Sequence, residues 1–339
     1  MTRRLRARTV AAALALAAGL VTPGIAPAVP DSDDIGVDRP AAPAAERPDP
    51  RRTRGLFVDP LMPAANQERV YATAFGRRSQ ALWITPEHYP TPVVRDIVRA
   101  YTGRALAADK TPVLTVYGIP DRDCGLYSSG GLPGGDAYRD WIRQVARGTR
   151  GQQALVVLEP DAIPFYGDPR CTNAGDRLKL LRFASRVLSR SGAWVYLDAG
   201  HSDWRPFDGR PRLLKRAGIG FARGFSTNVS NFRPTADEHD YAGFLRRELR
   251  KLKVKGVHYV IDTSRNGHPD PVGGDVLNPV WARVGKAPRL VFDGAFDGTL
   301  WVKHPGESDG EVNGGPGSGQ WCDFLADRLL DRRESPTCD

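Results

Sequence analysis

Five short apolar runs of β-prone residues each stop at or just before a carboxylate, and this repeated ending restricts the fold more than any other feature of the chain. The runs are 113–117 before Asp121 and Asp123, 155–158 before Glu159 and Asp161, 194–197 before Asp198, 257–261 before Asp262, and 300–302 before Glu307 and Asp309. Continuous apolar runs of this length read as strands buried on both faces, the pattern of a parallel sheet. In parallel α/β folds the C-terminal strand ends share one rim, where active sites are built. A rim lined with carboxylates suits acid/base chemistry.

Amphipathic segments at 136–147, 176–189 and 236–251 alternate with these runs and predict helices. Thr235 with Glu238 matches a capping box, which predicts Thr235 as the N-cap of the last of them. At 339 residues with 41% hydrophobic content, the chain can bury one full barrel core.

Residues 1–28 have four arginines, an apolar stretch from Val10 to Val21 and then Ala26-Pro27-Ala28, the layout of a secretory signal. Cleavage after Ala28 is expected. Residues 29–54 read as a disordered leader and 55–339 as the folded domain, so the mature protein is expected to be soluble, extracellular and monomeric. Without the four arginines, 44 basic residues against 39 acidic leave a net charge of +5. The basic residues are scattered, with no stripe interleaved with aromatics, which argues against nucleic acid as a partner.

Four cysteines suit an exported protein, with Cys124–Cys171 and Cys322–Cys338 the expected bridges among three connectivities. The dispersed histidines and the lack of Cys-x-x-Cys or His-Glu-x-x-His give no reason to expect a metal or other cofactor. The Gly-rich segments 130–135 and 314–319 lack the Gly-Lys-Ser/Thr ending of a phosphate loop and read as loops over a site.

Asp123, Asp161, Asp198 and Asp309 form the candidate constellation, since crowded carboxylates raise one another's pKa until one donates a proton near neutral pH. Glycoside hydrolysis needs such a pair. Trp83, Tyr117, Trp204, Phe232 and Trp301 fall at strand ends or in the following loops, where rings could stack on sugars. Asn228, Asn231, Arg265, Asn266, Lys303 and Glu307 could hold hydroxyl groups.

The runs Val116-Tyr117-Gly118-Ile119-Pro120-Asp121-Arg122-Asp123-Cys124 and Val156-Val157-Leu158-Glu159-Pro160-Asp161-Ala162-Ile163 resemble the two signature patterns of glycoside hydrolase family 6, inverting endoglucanases and cellobiohydrolases acting on β-1,4-glucan. The resemblance continues through Asp198-Ala199-Gly200-His201, Thr227-Asn228-Val229-Ser230-Asn231-Phe232, Asp262-Thr263-Ser264-Arg265-Asn266-Gly267 and Trp301-Val302-Lys303-His304-Pro305-Gly306-Glu307-Ser308-Asp309-Gly310, covering about 57–330. It implies a distorted seven-stranded parallel α/β barrel in a single domain, acting as an endo-β-1,4-glucanase on cellulose or soluble β-glucan. It implies Asp161 as general acid, Asp123 as the group raising its pKa, Asp309 as base directly or through water, and Asp198 as organiser. Tyr117 would press on the sugar at the cleavage point and Ser129 would position water. Trp83, His201, Trp204, Asn228, Asn231, Trp301, Lys303 and Glu307 would bind substrate. Inversion implies acid and base carboxyls about 6.5–9.5 Å apart or more.

The chain departs from the family's pattern in one loop. Many members have a Trp-Cys pair after the Arg-Asn-Gly motif and a partner Cys after the Asp-Gly of the base loop; here Val276-Leu277 and Glu311 stand there. A looser Asp309 loop and weaker aglycone binding are expected, with Trp281 a nearby substitute platform. The alternatives are a cellobiohydrolase, a hydrolase of another β-glucan, or a non-catalytic glucan-binding protein on the same fold.

Overall fold

A computed structural model describes residues 48–171, 174–269, 276–336 and 338. The expected signal segment and most of the expected leader lie outside the described residues.

Eight strands make one sheet in the order β1-β2-β3-β4-β5-β6-β8-β7. They are β1 Leu82–Ile84, β2 Val113–Val116, β3 Leu155–Leu158, β4 Trp194–Asp198, β5 Gly224–Thr227, β6 His258–Asp262, β7 Arg289–Asp293 and β8 Phe296–Leu300. Seven run parallel, as expected, and β7 adds an antiparallel strand outside β8. The sheet curls until β1 meets the chain beyond β8: Ala81 N–H donates to Trp301 O at 3.0 Å, and Trp83 Nε1 donates to Val302 O at 2.7 Å. The run at 300–302 is therefore the exit from β8 and not a strand.

The strands are apolar throughout because each face has its own core. Val113, Leu155, Val157, Tyr196, Val260 and Leu300 fill the barrel interior. Leu114, Val116, Val156, Leu158, Val195 and Leu197 face outward onto the helices. Those helices are α1 Arg69–Tyr71, α2 Thr91–Ala107, α3 Gly135–Thr149, α4 Ala174–Arg190, α5 Arg210–Arg216, α6 Thr235–Lys251 and α7 Asp323–Leu329. The three predicted helices correspond to α3, α4 and α6. The predicted cap on α6 is corrected: Pro234 is the N-cap, the Thr235 hydroxyl accepts from Asn266 Nδ2 at 3.1 Å, and Glu238 is buried and accepts from Ser202 N–H at 2.8 Å. Both residues of the capping pattern are spent on tertiary contacts.

The chain is already packed at Pro50–Arg52, inside the expected leader: Arg51 is buried, stacks on Trp194 at 4.2 Å and donates to Gly192 O at 2.9 Å. The disulfides are Cys124–Cys171 and Cys322–Cys338. The first ties the loop after β2 to the loop after β3, a closure 47 residues apart that contributes about 4 kcal/mol in the chain-entropy account. Among the described residues no helix is long and apolar enough to cross a membrane.

Candidate active site

Period-two alternation decides which rim side chains enter the barrel mouth. Tyr117 shares the inward parity of Val113 on β2, and Asp198 that of Tyr196 on β4, so both point into the mouth. Trp301 has the opposite parity to Leu300 and Val302 and points away, 3% exposed, against Phe75 with its Nε1 donating to Lys286 O at 2.9 Å. Trp301 is a core residue and not the expected platform. Phe232 is also buried, under the Arg265 guanidinium.

The chain beyond the strands is held in conformations that ordinary residues rarely adopt. Glu159 and Asp161 both have left-handed φ, 50° and 66°, as do Asp121 and Asp123 at 56° and 57°. Each such residue costs of order 1–3 kcal/mol and persists only where contacts enforce it. The buried Glu159 carboxylate supplies them, accepting from Gly118 N–H and Ile119 N–H at 3.0 Å each and from the Tyr138 hydroxyl at 2.9 Å. Asp161 is thereby turned up to the rim, where its N–H donates to Asp198 Oδ2 at 2.9 Å. Asp198 also accepts from Gly200 N–H at 3.2 Å and the Ser226 hydroxyl at 3.3 Å, joining the ends of β3, β4 and β5.

A cleft of about 1160 Å³ opens above this rim. Asp161, Asp123, Tyr117, Ser129, Trp83, His201, Trp204, Asn231, Lys303, Glu307 and Asp309 all line it. Asn228 does not: it is fully buried, donates to Asp262 O at 2.8 Å and accepts from Arg233 N–H at 2.9 Å, holding the turn that presents Asn231. Trp281 packs on Phe232 and His268 instead of substituting in the cleft. Leu277 and the exposed Val276 supply that wall. Tyr117 stands edge-on to Trp83 at 5.4 Å with the Arg122 guanidinium 4.6 Å from its ring. The loops after β2 and β8 approach each other, with the Ser128 and Ser318 hydroxyls 3.4 Å apart.

The carboxylates fall into two electrostatic classes. Burial, reinforced by the charges of Asp198 and Asp123, pushes Asp161 well above the usual carboxylate range. Asp198 is raised to about 6 by burial, moderated by the N–H groups of Asp161 and Gly200 and by Arg210. Those donors favour the charged form of Asp198, and Asp161 is the more strongly raised of the two. Burial also raises Asp123, against the Ser128 N–H that it accepts at 2.7 Å and the charge of Arg122.

Asp309 is the opposite case. Burial opposes its charge, but Arg265 Nη1 at 2.6 Å and Lys303 Nζ at 3.2 Å outweigh that and hold it at about 2. Arg265 and Lys303, expected to bind hydroxyls, are thus the counter-ions of Asp309. Asn266, also expected to do so, instead donates to Arg233 O at 3.0 Å and to Thr235 Oγ1. Glu307 pairs with His304 Nδ1 at 2.8 Å, and burial with the nearby Arg233 lowers His201 to about 4, leaving its imidazole neutral. Among the described residues no cluster of three or more His, Cys, Asp or Glu is arranged to hold a metal ion.

Sequence reasoning missed Asn278, whose N–H donates to Asp309 Oδ2 at 3.0 Å and whose Oδ1 accepts from Asp309 N–H at 2.8 Å. It lies 31 residues upstream with no local pattern to mark it. These contacts tie the Asp309 loop to the segment at 278.

These shifts set a pH dependence of stability. Glu159 and Glu238 are raised to about 7 by burial, and Asp198 to about 6. A raised carboxyl contributes stability that is complete below its unfolded pKa of about 4 and is lost as pH rises through the folded value. Thermal unfolding is therefore expected at a higher midpoint at pH 5 than at pH 8, which calorimetry at the two pH values would measure; equal midpoints would contradict the burial of these carboxyls.

The family model for glycosyl hydrolases family 6 matches residues 59–333. The chain is 40% identical over 287 residues to endoglucanase A of Cellulomonas fimi, spanning 82% of this chain and 61% of that protein. It is 35% identical to endoglucanase 1 of Streptomyces halstedii, spanning 86% of this chain and 93% of that one. Among solved structures, the endoglucanase Cel6 of Mycobacterium tuberculosis, in complex with methyl-cellobiosyl-4-deoxy-4-thio-β-D-cellobioside, superposes with a TM-score of 0.75 at 37% identity, covering 83% of this chain and 98% of that one.

Proposed function

Because the chain belongs to glycosyl hydrolases family 6, we propose that it is an exported inverting hydrolase that cleaves internal β-1,4-glucosidic bonds of cellulose or soluble β-glucan. The observation that carries this reading is one large cleft lined both by Asp161, whose carboxyl burial and the neighbouring carboxylates push well above the usual range, and by Asp309, which Arg265 and Lys303 hold at about 2. Asp161 donates its proton to the glycosidic oxygen as the bond to the anomeric carbon breaks. Asp123 and Asp198 keep that proton in place beforehand and offset positive charge on the ring as it develops. Water attacks from the opposite face, positioned with the help of Ser129.

Arg265, Lys303 and the Asn278 N–H keep Asp309 ionised, and its carboxylate receives the water's proton directly or through intervening water. Tyr117 presses on the ring at the cleavage point, while Trp83, Trp204, His201, Asn231 and Glu307 bind flanking sugars. The endoglucanase relatives support internal cleavage. The approach of Ser128 to Ser318 favours a second reading, a roofed site working from chain ends.

The deciding experiment follows viscosity and released reducing sugar together on carboxymethylcellulose. Viscosity falling ahead of sugar release establishes internal cleavage, sugar release with little viscosity loss establishes action from chain ends, and neither would turn the search to other β-glucans and then to a binding role. The two tryptophans separate in the same assay. Trp204→Ala is expected to raise KM several-fold with little change in Tm, whereas Trp301→Ala is expected to cost about 3–5 kcal/mol of stability by emptying a buried site.

A further inference from the structure

The loop carrying Asp309 has no covalent tether of its own, because the described disulfides lie elsewhere, yet Asp309 is 9% exposed and its neighbour Ser308 is fully buried. Besides Arg265 on its carboxylate and Lys303 Nζ on Ser308 O at 2.8 Å, one side chain from the facing segment makes four contacts with it. Asn278 Nδ2 donates to Gly310 O at 2.8 Å, Val312 O at 3.0 Å and Ser308 Oγ at 3.1 Å, while Oδ1 accepts the Asp309 N–H. Its own carbonyl is held in turn by Arg328 Nη1 at 2.8 Å. One amide thus pairs with the Asp309 N–H, with two backbone carbonyls after it and with the Ser308 hydroxyl before it. It also anchors the segment whose preceding residue, Leu277, forms the cleft wall, so wall and anion are tied to one point.

We propose that Asn278 is a positioning residue for hydrolysis, a polar clip that holds the Asp309 loop and the adjoining cleft wall in register without a covalent bond. This rests on the reading of Asp309 given above. Removing the amide leaves the Asp309 N–H without its side-chain acceptor and takes one donor from each of two loop carbonyls, which keep the Val312 N–H on Gly310 O at 2.7 Å and the Gly315 N–H on Val312 O at 3.0 Å. The carboxylate then samples several positions. A displacement of about 1 Å at such a group costs roughly 100-fold in rate.

The test compares wild type, Asn278→Ala and Asn278→Asp by hydrogen exchange and steady-state kinetics on cellotetraose. Asn278→Ala is expected to lose amide protection across residues 307–313. Its kcat should fall roughly 10- to 100-fold with KM within about twofold. Asn278→Asp keeps the shape and the acceptor but sets a second carboxylate beside Asp309; it is expected to move the acid limb of the pH profile upward, which a filler of space would not do. If Asn278→Ala does not fold, the near-isosteric Asp variant carries the test. Unchanged protection, or kcat within twofold of wild type in a folded variant, overturns the proposal. Wild type inactive on every β-glucan would overturn the functional reading instead, and loss of protection in Asn278→Ala would still decide whether the clip exists.

Discussion

Replacing Asp161 by alanine is expected to lower kcat on soluble β-glucan by about 10²–10⁴-fold, the usual contribution of a positioned general acid. That is about 3–5 kcal/mol of transition-state stabilisation. KM should change little, because the carboxyl meets the leaving oxygen while sugar rings on either side are held by other groups. Asp161→Asn should lose as much, since what is missing is a proton and not volume. Substrates with a good leaving group should recover much of the rate, because they need no protonation; equal losses on good and poor leaving groups would count against Asp161 as the acid.

The pH profile gives an independent check. Activity requires Asp309 ionised, which holds from above about 2, and Asp161 protonated, which holds up to its raised value. Removing the neighbouring charge with Asp198→Asn should lower the Asp161 pKa and draw the alkaline limb to lower pH. An alkaline limb that stays in place would separate Asp161 from Asp198 electrostatically.

What could be read from the sequence follows from which strands are apolar on both faces. Strands β2, β3, β4 and β6 are almost continuously apolar, and their ends were visible as strand followed by acid. Strand β1 has three residues, β5 reads Gly-Phe-Ser-Thr, and β8 contains Asp297 and Gly298, so none has that signature. Asp297 is tolerated in the sheet because Arg223 at 2.6 Å and the Tyr196 hydroxyl at 2.7 Å satisfy it, a pairing of distant residues that no local pattern announces.

The carboxylates were legible for a related reason, since a strand end fixes both rim and parity. The errors came where parity or long-range pairing was needed. Trp301 lies at a strand exit but has the outward parity, and Asn228 sits in a substrate-like motif but is spent on the backbone. Arg265 looked like a hydroxyl binder because its partner Asp309 is 44 residues away. The left-handed turns at Glu159 and Asp161 depend on contacts with β2 and α3 and had no marker in their own sequence.

Arg265→Ala is expected to give the second-largest effect, on stability and rate together. Arg265 is 3% exposed, pairs with Asp309, donates to Ser230 O and lies over Phe232 at 4.4 Å. Removing one member of a buried pair leaves an uncompensated charge and typically costs about 3–5 kcal/mol. For a domain of this size that is a fall in Tm of about 5–8 °C.

The pH dependence identifies the cause. Asp309 at about 2 against 3.8 unfolded contributes about 2 kcal/mol, present above pH 4 and lost as pH falls through the folded value. With only Lys303 left, the Asp309 pKa rises, so the variant should lose less stability than wild type between pH 4 and pH 2 while starting from a lower value. Its acid limb of activity should move upward by the same cause. Arg265→Lys keeps the charge but not the planar fork that reaches Asp309 and Ser230 at once, and should fall between the two. Parallel stability curves for wild type and Arg265→Ala across that pH range would mean that the guanidinium acts by packing on Phe232 and not by holding the anion.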